Sequence, residues 1–233
     1  RFTYFDCARE MKLTLSPMFA AVAGAAALAV LPVHAEDVKG DAQAGADKVA
    51  MCIGCHGITD YKTAHPQVYR DPKIAGQNAA YLVTSLEGYA KRERKHPSME
   101  GIAETMSEQD IADVAAYYST LGISDDAAEL PEPRKPSSSV AELLSKGGCV
   151  SCHGENYSEP VDPSYPKLAG QYPDYLYVAL KAYSDNSHGT WGRGNPVMAA
   201  QVKQFSNPEL KAMARYIASL PGEIKTIGES RFR

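Results

Sequence analysis

Two copies of the pattern Cys-x-x-Cys-His, at residues 52–56 and 149–153, constrain this chain more than any other feature. On a helix, the two thiols and the imidazole of each copy lie on one face. That arrangement lets both thiols form thioethers with the vinyl groups of one porphyrin while the imidazole approaches the iron, and it is typical of c-type haem attachment. The sequence therefore predicts two covalently bound haem c groups, held by Cys52, Cys55, Cys149 and Cys152.

Two other uses of paired cysteines compete with haem. Structural zinc sites take four thiolates from two such pairs, and a single pair can act as a redox-active dithiol. Neither use explains why a histidine, His56 or His153, directly follows each pair. The haem interpretation explains both histidines and is therefore preferred.

The two pentapeptides belong to two long, similar halves of the chain. Between the halves the sequence offset stays between 94 and 99 residues, so length differences are confined to loops. The matching segments are 52–57 and 149–154, 72–77 and 166–171, 97–99 and 196–198, and 107–117 and 206–216. Self-similarity of this kind indicates an internal duplication, so one domain fold is expected twice.

Each half has the pattern of a helical domain, and no segment shows a convincing strand alternation. Helices are predicted over 40–51, 78–92, 140–146 and 173–183. The last helix of each half starts at a capping pattern, at residues 107–110 and 206–209, and a third such pattern at 139–142 is expected to start the helix 140–146. The predicted fold class is all-α, with two tandem domains.

The first 35 residues are expected to be absent from the mature protein. Residues 1–10 precede Met11, the first plausible initiator, and an apolar run from Leu13 to Val33 ends at Ala35 in an A-x-A-like cleavage site. The run is short of a confident transmembrane span. An export signal cleaved after Ala35 is therefore preferred to a membrane anchor. Because bacterial thioether attachment of haem takes place outside the cytoplasm, a periplasmic location is predicted.

The rest of the chain is predicted to form two domains and a linker. Residues 122–139 contain three prolines, acidic residues and a serine run, a composition typical of a semi-rigid linker. The N-terminal domain is accordingly predicted at 36–121 and the C-terminal domain at 140–233. Domains of this size are small, so a covalently held porphyrin would supply much of each core.

Charge is spread unevenly over the two halves. The whole chain has a formal net charge of −4, while residues 36–124 carry −4 and residues 140–233 carry +1. The resulting dipole can orient the molecule on a partner protein. Nucleic-acid binding requires a basic surface, so nucleic acid is excluded as a partner.

His56 and His153 are predicted to supply one axial ligand to each iron, and the second ligand decides the function. Met99 and Met198 hold equivalent positions after a Pro-x pair, and no other histidine of the mature chain repeats in both halves. A thioether sulfur opposite histidine raises the reduction potential and closes the iron to substrates. Met99 and Met198 are therefore the predicted second ligands.

Three features near Met99 receive a structural interpretation. Met106 competes as a ligand but aligns with Phe205, which cannot bind iron, so Met106 is predicted to be a core residue. The charged run 91–95 is interpreted as a solvated helix end rather than as a docking patch or a propionate partner. His96 is interpreted as a surface residue.

Four residues are candidates for contacts around the haems. Pro72 and Pro166 lie in the shared Pro-Lys-x-Ala-Gly-Gln stretch, where their carbonyls can accept a hydrogen bond from the axial histidine. A plain turn proline is the alternative. Trp191 and Arg193 precede Met198 in a glycine-rich loop and are candidate donors to haem propionates. The alternative there is a surface loop with one anchoring aromatic.

These paired motifs resemble the dihaem cytochrome c4 family over essentially the whole mature chain. The resemblance implies two class I cytochrome c folds related by a pseudo-two-fold axis, with their haems facing each other across the domain boundary. It also implies a soluble or membrane-associated periplasmic carrier that delivers electrons to a terminal oxidase. Ile74, where leucine is usual, and an unusual loop over 60–70 are departures from the family pattern.

The expected function is one-electron transfer without bond-making chemistry, so the chain is not predicted to be an enzyme. The expected partners are a cytochrome bc complex or another donor and a terminal haem–copper oxidase as acceptor. Two alternatives stay open. One is an enzyme with a displaceable iron ligand, such as a dihaem peroxidase or a thiosulfate- or sulfite-oxidising dehydrogenase. The other is a dihaem cytochrome subunit of a larger oxidoreductase, such as a flavocytochrome sulfide dehydrogenase.

Overall fold

The computed structural model of the protein describes residues 38–123 and 130–228. The predicted export signal and its cleavage site after Ala35 lie outside the described residues, as does part of the predicted linker. Within the described ranges the chain is mainly helical, which confirms the predicted fold class, and four strands of two residues each accompany the helices. None of the helices in these ranges combines the length and the apolar character needed to cross a membrane.

The two halves contain the same succession of helices. The helices of the first half are α1 (Ala42–Lys48), α2 (Ala50–His56), α3 (Ala79–Ala90), α4 (Pro97–Ala103) and α5 (Glu108–Thr120). Those of the second half are α6 (Ser138–Lys146), α7 (Val150–His153), α8 (Pro173–Ser184), α9 (Pro196–Val202) and α10 (Asn207–Ser219). The strands are β1 (Lys62–Thr63), β2 (Tyr69–Arg70), β3 (Arg94–Lys95) and β4 (Gly192–Arg193).

The capping boxes predicted for the last helix of each half are both present. The backbone N–H of Ser107 donates to the Asp110 carboxylate at 3.1 Å, and that of Ser206 donates to Glu209 at 2.7 Å. In each box the serine side chain also accepts from the backbone of the third helical residue. These reciprocal bonds fix where α5 and α10 begin, because they satisfy N–H groups that have no partner inside the helix.

Two other helix boundaries differ from the prediction. Helix α6 begins after Ser137, whose hydroxyl accepts from the Val140 N–H at 3.4 Å, so Ser137 and not Ser139 is the N-cap. The helix predicted over 40–51 is broken at Val49, where the backbone (φ −91°, ψ 6°) leaves the helical range. The Val49 side chain is fully buried, so core packing outweighs helix continuity here.

The beginning of the first half packs closely against α5. A Cβ atom added at Gly40 would lie 2.1 Å from the carbonyl oxygen of Ala112, and one added at Gly45 would lie 2.1 Å from that of Asp113. Only glycine permits this approach of two backbones.

An ion-pair cluster fixes the same contact. Lys48, the last residue of α1, lies 2.7 Å from a carboxylate oxygen of Asp110 and 2.6 Å from one of Asp113. Asp113 is buried and also accepts from the backbone N–H of Asp41 at 2.8 Å. A buried carboxylate is costly unless it is paired and hydrogen-bonded, and Asp113 is both.

The last described residues return to the first half. Lys225 pairs with Ala75 in an isolated antiparallel bridge. Ile224 is buried, and Ile227 packs against the core of the first half. The region predicted as the C-terminal domain, 140–233, therefore includes a segment whose packing partners lie in the other half.

Matched hydrogen bonds join the two halves. The Gln77 side-chain amide donates to the Lys167 carbonyl at 2.9 Å and accepts from the Lys167 N–H at 2.8 Å. Gln171 bonds Lys73 in the same way, at 2.9 Å and 3.0 Å. Both glutamines are buried. This reciprocal exchange is what a pseudo-two-fold relation between duplicated domains requires.

A short sheet adds a second link between the halves. Strand β3 pairs antiparallel with β4, with Lys95 opposite Gly192. Beside it, the Gly194 N–H donates to the Glu93 carbonyl at 2.7 Å. The charged run 91–95 therefore ends in a strand that binds the other half, which corrects its interpretation as a solvated helix end.

Candidate haem sites

Helix α2 presents the first pentapeptide to a large cavity. Cys52, Cys55 and His56 line this cavity together with Met99 from α4, and its space is about 1240 Å³ when counted out to its open mouth. The first cavity therefore brings two thiols, an imidazole and a thioether around a space suited to a large planar group.

A second cavity has the equivalent position in the other half. It is lined by Cys152 and His153 from the second pentapeptide and by Met198 from α9, and its space is about 1530 Å³ including the mouth. Cys149, the remaining predicted attachment residue, packs beside the second core cluster, the buried residues of the second half that include Leu144, Leu176, Leu210 and Met213. Its Sγ lies 3.0 Å from the place of a Cβ added at Gly147.

The two histidines predicted as axial ligands each contact a proline carbonyl, that of Pro72 or that of Pro166. The distance is 2.9 Å from His56 Nδ1 to the Pro72 oxygen and 3.4 Å from His153 Nδ1 to the Pro166 oxygen. A carbonyl only accepts, so Nδ1 carries the proton and Nε2 keeps its lone pair. Burial lowers the pKa of His56 and of His153, which favours the neutral imidazole. Each ring is thus held in the tautomer that an iron ligand needs.

The cysteines have the properties of attachment residues rather than of a redox pair. None of the four is paired in a disulfide. Burial raises the pKa of Cys52 to about 11 and also raises the pKa of Cys55 and Cys149. Reactive dithiols need a lowered thiol pKa. The two pairs belong to separate cavities, so they do not form one four-cysteine zinc site.

The predicted methionine ligands share a local design. The N–H of Met198 donates to the Asn195 side chain at 2.9 Å, and the N–H of Met99 donates to His96 Nδ1 at 3.4 Å. His96 and Asn195 are the N-caps of α4 and α9. His96 is buried, with 8% of its surface exposed, so its assignment to the surface is wrong. In the repeat, His96 aligns with Asn195, and asparagine is a common N-cap residue, so this alignment could have indicated that His96 caps α4.

Met106 lies near the same cavity as Met99. It packs against the first core cluster, the buried residues of the first half that include Val49, Leu82 and Val114, and this agrees with its prediction as a core residue. Met106 also contributes to the cavity wall. Phe205 packs against the second core cluster in the corresponding place. The structure thus brings both candidate methionines to the first cavity, and the repeat register is what favours Met99.

Arg94 and Arg193 form a positively charged wall between the cavities. Arg94 lines both cavities and Arg193 lines the second. Arg193 donates to the Tyr175 hydroxyl at 2.9 Å, and Arg94 to that of Tyr81 at 3.2 Å. Among the described residues, no carboxylate lies within ion-pair distance of either guanidinium, and the buried Nε of Arg94 has no hydrogen-bond partner.

Such cations fit an anionic group in the cavities. Burying a charge without a counter-charge is unfavourable, and arginine binds carboxylates through paired N–H donors. The two carboxylates of a haem would supply the missing partners, so the residues present fit the predicted cofactor. Arg193 was a sequence candidate for this contact, whereas Arg94 stands in the charged run 91–95, for which a propionate contact was the less favoured interpretation.

Trp191 lies apart from both cavities. Its ring stacks on His188 at a centroid distance of 4.1 Å, and the Lys181 ammonium lies 5.0 Å above it. Together with Arg94 and Arg193, it lines a separate small recess between the halves. The structure therefore does not bring Trp191 among the residues that line the two haem cavities.

Comparisons with known proteins give the same picture. The sequence model of the family described as Cytochrome c matches residues 42–122 and 138–221. A cytochrome c4 from Azotobacter vinelandii is 31% identical over 202 residues, which cover 78% of this chain and 90% of that protein. A thiosulfate dehydrogenase electron acceptor from Stutzerimonas stutzeri (strain A1501) is 30% identical over 210 residues, covering 85% and 94%.

A solved structure agrees with the fold. The crystal structure of reduced recombinant cytochrome c4 from Pseudomonas stutzeri matches with a TM-score of 0.58 and 28% identity, covering 78% of this chain and 99% of that one. Fold, cavities and relatives together define a c-type cytochrome with two tandem domains, which carries two covalently bound haem c groups and transfers electrons. Within that class, the chain belongs to the cytochrome c4 family.

Proposed function

We propose that this protein is a periplasmic carrier that takes single electrons from a respiratory donor, such as a cytochrome bc complex, and delivers them to a terminal haem–copper oxidase. The observation that carries this proposal is that each cavity is lined by one histidine whose Nδ1 is bound to a proline carbonyl and by one methionine, at equivalent places in the two halves. A carrier needs two such closed centres, whereas an oxidising enzyme needs at least one open iron.

We assign His56 and Met99 to the first iron, and His153 and Met198 to the second. When bound, each haem supplies an iron that changes between Fe(III) and Fe(II). The chain's own residues hold and tune it. The cysteine thiols form the thioether links, the Pro72 and Pro166 carbonyls orient the histidine rings, and the arginine wall compensates the propionate charge.

The periplasmic location rests on the cofactor and on the predicted export signal. Haem is joined to cysteine thiols outside the bacterial cytoplasm, which favours cleavage after Ala35 and a mature chain that begins at Glu36. The proposed division is an N-terminal domain over 36–121, a linker over 122–139 and a C-terminal domain over 140–233.

The test uses the purified holoprotein. We expect an intact mass with two haem additions, a ferric Met–iron absorbance band, slow or no binding of carbon monoxide by the reduced protein, and rapid oxidation of the reduced protein by membranes that contain a haem–copper oxidase. Rapid carbon monoxide binding at one haem contradicts a carrier with two closed centres. Reduced protein that these membranes leave reduced contradicts the proposed acceptor.

A second candidate function has a specific observation in its favour. A relative named as a thiosulfate dehydrogenase electron acceptor matches almost its whole length, so this chain is a candidate acceptor or subunit for a sulfur-oxidising enzyme. A flavocytochrome-like complex would show flavin absorbance and a larger size in gel filtration of the native protein. A free acceptor would run as the single chain and be reduced by thiosulfate only when thiosulfate dehydrogenase is added.

A further inference from the structure

The carbonyl that binds His56 belongs to a short segment, residues 70–73, whose two ends are attached to the second half of the chain. Pro72, inside the segment, has its carbonyl oxygen 2.9 Å from His56 Nδ1. It is followed by Lys73, whose backbone takes part in the glutamine exchange between the halves. The position of this carbonyl therefore depends on contacts across the boundary between the halves, as well as on the first half itself.

Arg70 provides a charged attachment at the start of the segment. Its backbone N–H donates to a carboxylate oxygen of Asp174 at 3.0 Å, and its Nε lies 3.1 Å from each oxygen of the same carboxylate. The guanidinium carbon also lies 4.8 Å from the ring centre of Tyr172, which is buried. Backbone and side chain of one residue are thus bound to one carboxylate, and charge-assisted contacts of this kind are stronger than neutral hydrogen bonds.

Asp174 is itself fixed to the second half. It stands in the first turn of α8, a helix that buries Leu176 and Ala179. The other acidic partner of Arg70 is Asp60, which lies 3.2 Å from the guanidinium, belongs to the first half and has 63% of its side chain exposed. Of these two carboxylates, only that of Asp174 attaches the segment to the opposite half.

The equivalent segment of the second half, residues 164–167, is attached without a charge. Ser164 stands where the first half has Arg70, and its N–H donates to Asp162 of its own half at 2.7 Å. The hydrogen bonds that join this segment to the first half are those of the glutamine exchange and one from the Asn78 side chain, at 2.9 Å. The duplication therefore allows a charged and an uncharged attachment to be compared.

The two histidine–proline contacts differ in length. The contact is 2.9 Å at His56 and 3.4 Å at His153, and only the first lies within the usual range of about 2.7–3.2 Å. A stronger bond from Nδ1–H to a carbonyl makes the imidazole a more basic ligand. The shorter contact is thus found in the half whose proline segment has the charged attachment.

We propose that Arg70 is a positioning residue, whose contact with Asp174 holds the Pro72 carbonyl against the axial histidine of the first half. The second half of the chain thereby controls the hydrogen bond to an iron ligand of the first half. A change in how the halves fit together is transmitted to that ligand through the backbone of residues 70–73. The inference rests on the proposed function, because it takes His56 as an iron ligand.

The test measures the solvent exchange of the two axial histidine Nδ1–H protons by NMR of the reduced holoprotein. Asp174→Ala is expected to accelerate the exchange of the His56 proton severalfold and to leave that of His153 unchanged, because only the first segment loses its attachment. The matched control is Asp60→Asn, which removes a negative charge beside the same guanidinium. It is expected to leave both protons unchanged.

Spectroelectrochemical titration supplies a second readout. A weaker bond to the Pro72 carbonyl makes the imidazole less basic and therefore favours Fe(III) less. One of the two potentials is thus expected to be higher in Asp174→Ala than in Asp60→Asn, although both variants lose one acid beside Arg70. Arg70→Lys keeps the positive charge but loses the planar fork of donors, and it is expected to change the exchange rate and the potential in the same directions as Asp174→Ala.

Unaltered exchange of the His56 proton in Asp174→Ala overturns the proposal. Equal acceleration at His153 also overturns it, because that result indicates a general loosening of the protein. If Asp174→Ala fails to retain haem, the exchange measurement on Arg70→Lys decides, and an unaltered rate there overturns the proposal. A wild-type protein without two haems, or without a Met–iron band, overturns the proposed function instead.

Discussion

Arg94 and Arg193 stand directly opposite each other in the antiparallel pairing of β3 with β4, one from each half of the chain. Their guanidiniums are held by hydroxyl groups rather than by carboxylates. Because Arg94 also lines both cavities, its charge is shared by the two haem sites. A substitution at Arg94 is therefore expected to change the reduction potentials of both haems.

Removing that charge is expected to lower the haem potentials. In Arg94→Gln a cation that favours Fe(II) is lost, so we expect both potentials to fall, the first by up to about 59 mV, which corresponds to a tenfold change in the Fe(III)/Fe(II) ratio. Spectroelectrochemical titration measures the shift. Arg92→Gln is the matched control, since Arg92 is two residues away with 68% of its side chain exposed. Equal shifts in the two variants contradict a special role for Arg94.

Breaking the glutamine exchange is expected to weaken the contact between the halves. Gln77→Ala removes the partners of the part-buried Lys167 backbone N–H and carbonyl, and Gln171→Ala those of Lys73, which costs at most about 1–3 kcal/mol. Denaturant unfolding, followed by circular dichroism and by haem absorbance, should show a lower midpoint for each. Gln201→Ala, at an exposed position, serves as control and should unfold like the wild type. Unchanged midpoints in the interface variants mean that the exchange contributes little to stability.

Replacing the second-half methionine tests the iron assignment there. In Met198→His, the loss of thioether ligation is expected to lower one of the two potentials strongly and to leave the other near its original value. A redox titration measures both. Met213→Leu, a change in the buried core, should keep both potentials. An unaltered titration of Met198→His removes Met198 as a ligand.

The choice between the first-half methionines is decided by absorbance. Met106→Leu is expected to keep the spectra of both haems and the full Met–iron band, because Met106 packs against the core. Met99→Leu is expected to lose about half of that band. The reverse pattern would assign the iron to Met106.

The Lys48 cluster predicts acid sensitivity of the first half. Lys48 and Ser107 lower the pKa of Asp110 to about 2, and Lys48 also lowers the pKa of Asp113. The unfolded carboxylates bind protons near pH 4, so the stabilisation is complete above that pH and is lost as the pH falls toward 2. Between pH 5 and about pH 2, the thermal unfolding temperature of Lys48→Met should fall less steeply than that of the wild type. The exposed Lys62→Met should follow the wild type, and parallel curves for all three proteins would contradict the assignment.

Much of the site could be predicted because its chemistry is local. The two thiols and the imidazole are fixed by one turn of helix, and duplication compares each candidate with its partner, as for Met106 and Phe205. The proline carbonyls follow from the same shared stretch. Each of these inferences needs only neighbouring residues and the repeat.

What escaped prediction depends on contacts between distant parts of the chain. Arg94 and His96 lie in a polar, charged stretch, and only the approach of the second half shows that Arg94 lines both cavities and that His96 is buried. The N-cap at Ser137 was missed because three consecutive serines offer the same local chemistry. The role of Gln77 requires knowing that the two shared stretches face each other.

Because the C-terminal segment packs against the first half, the first half is synthesised early but completes its packing late. Ala75 pairs with Lys225, which follows it by about 150 residues, and Ile227 packs against the core of the first half. The half that leaves the ribosome first therefore lacks part of its packing until the segment 224–227 has been synthesised.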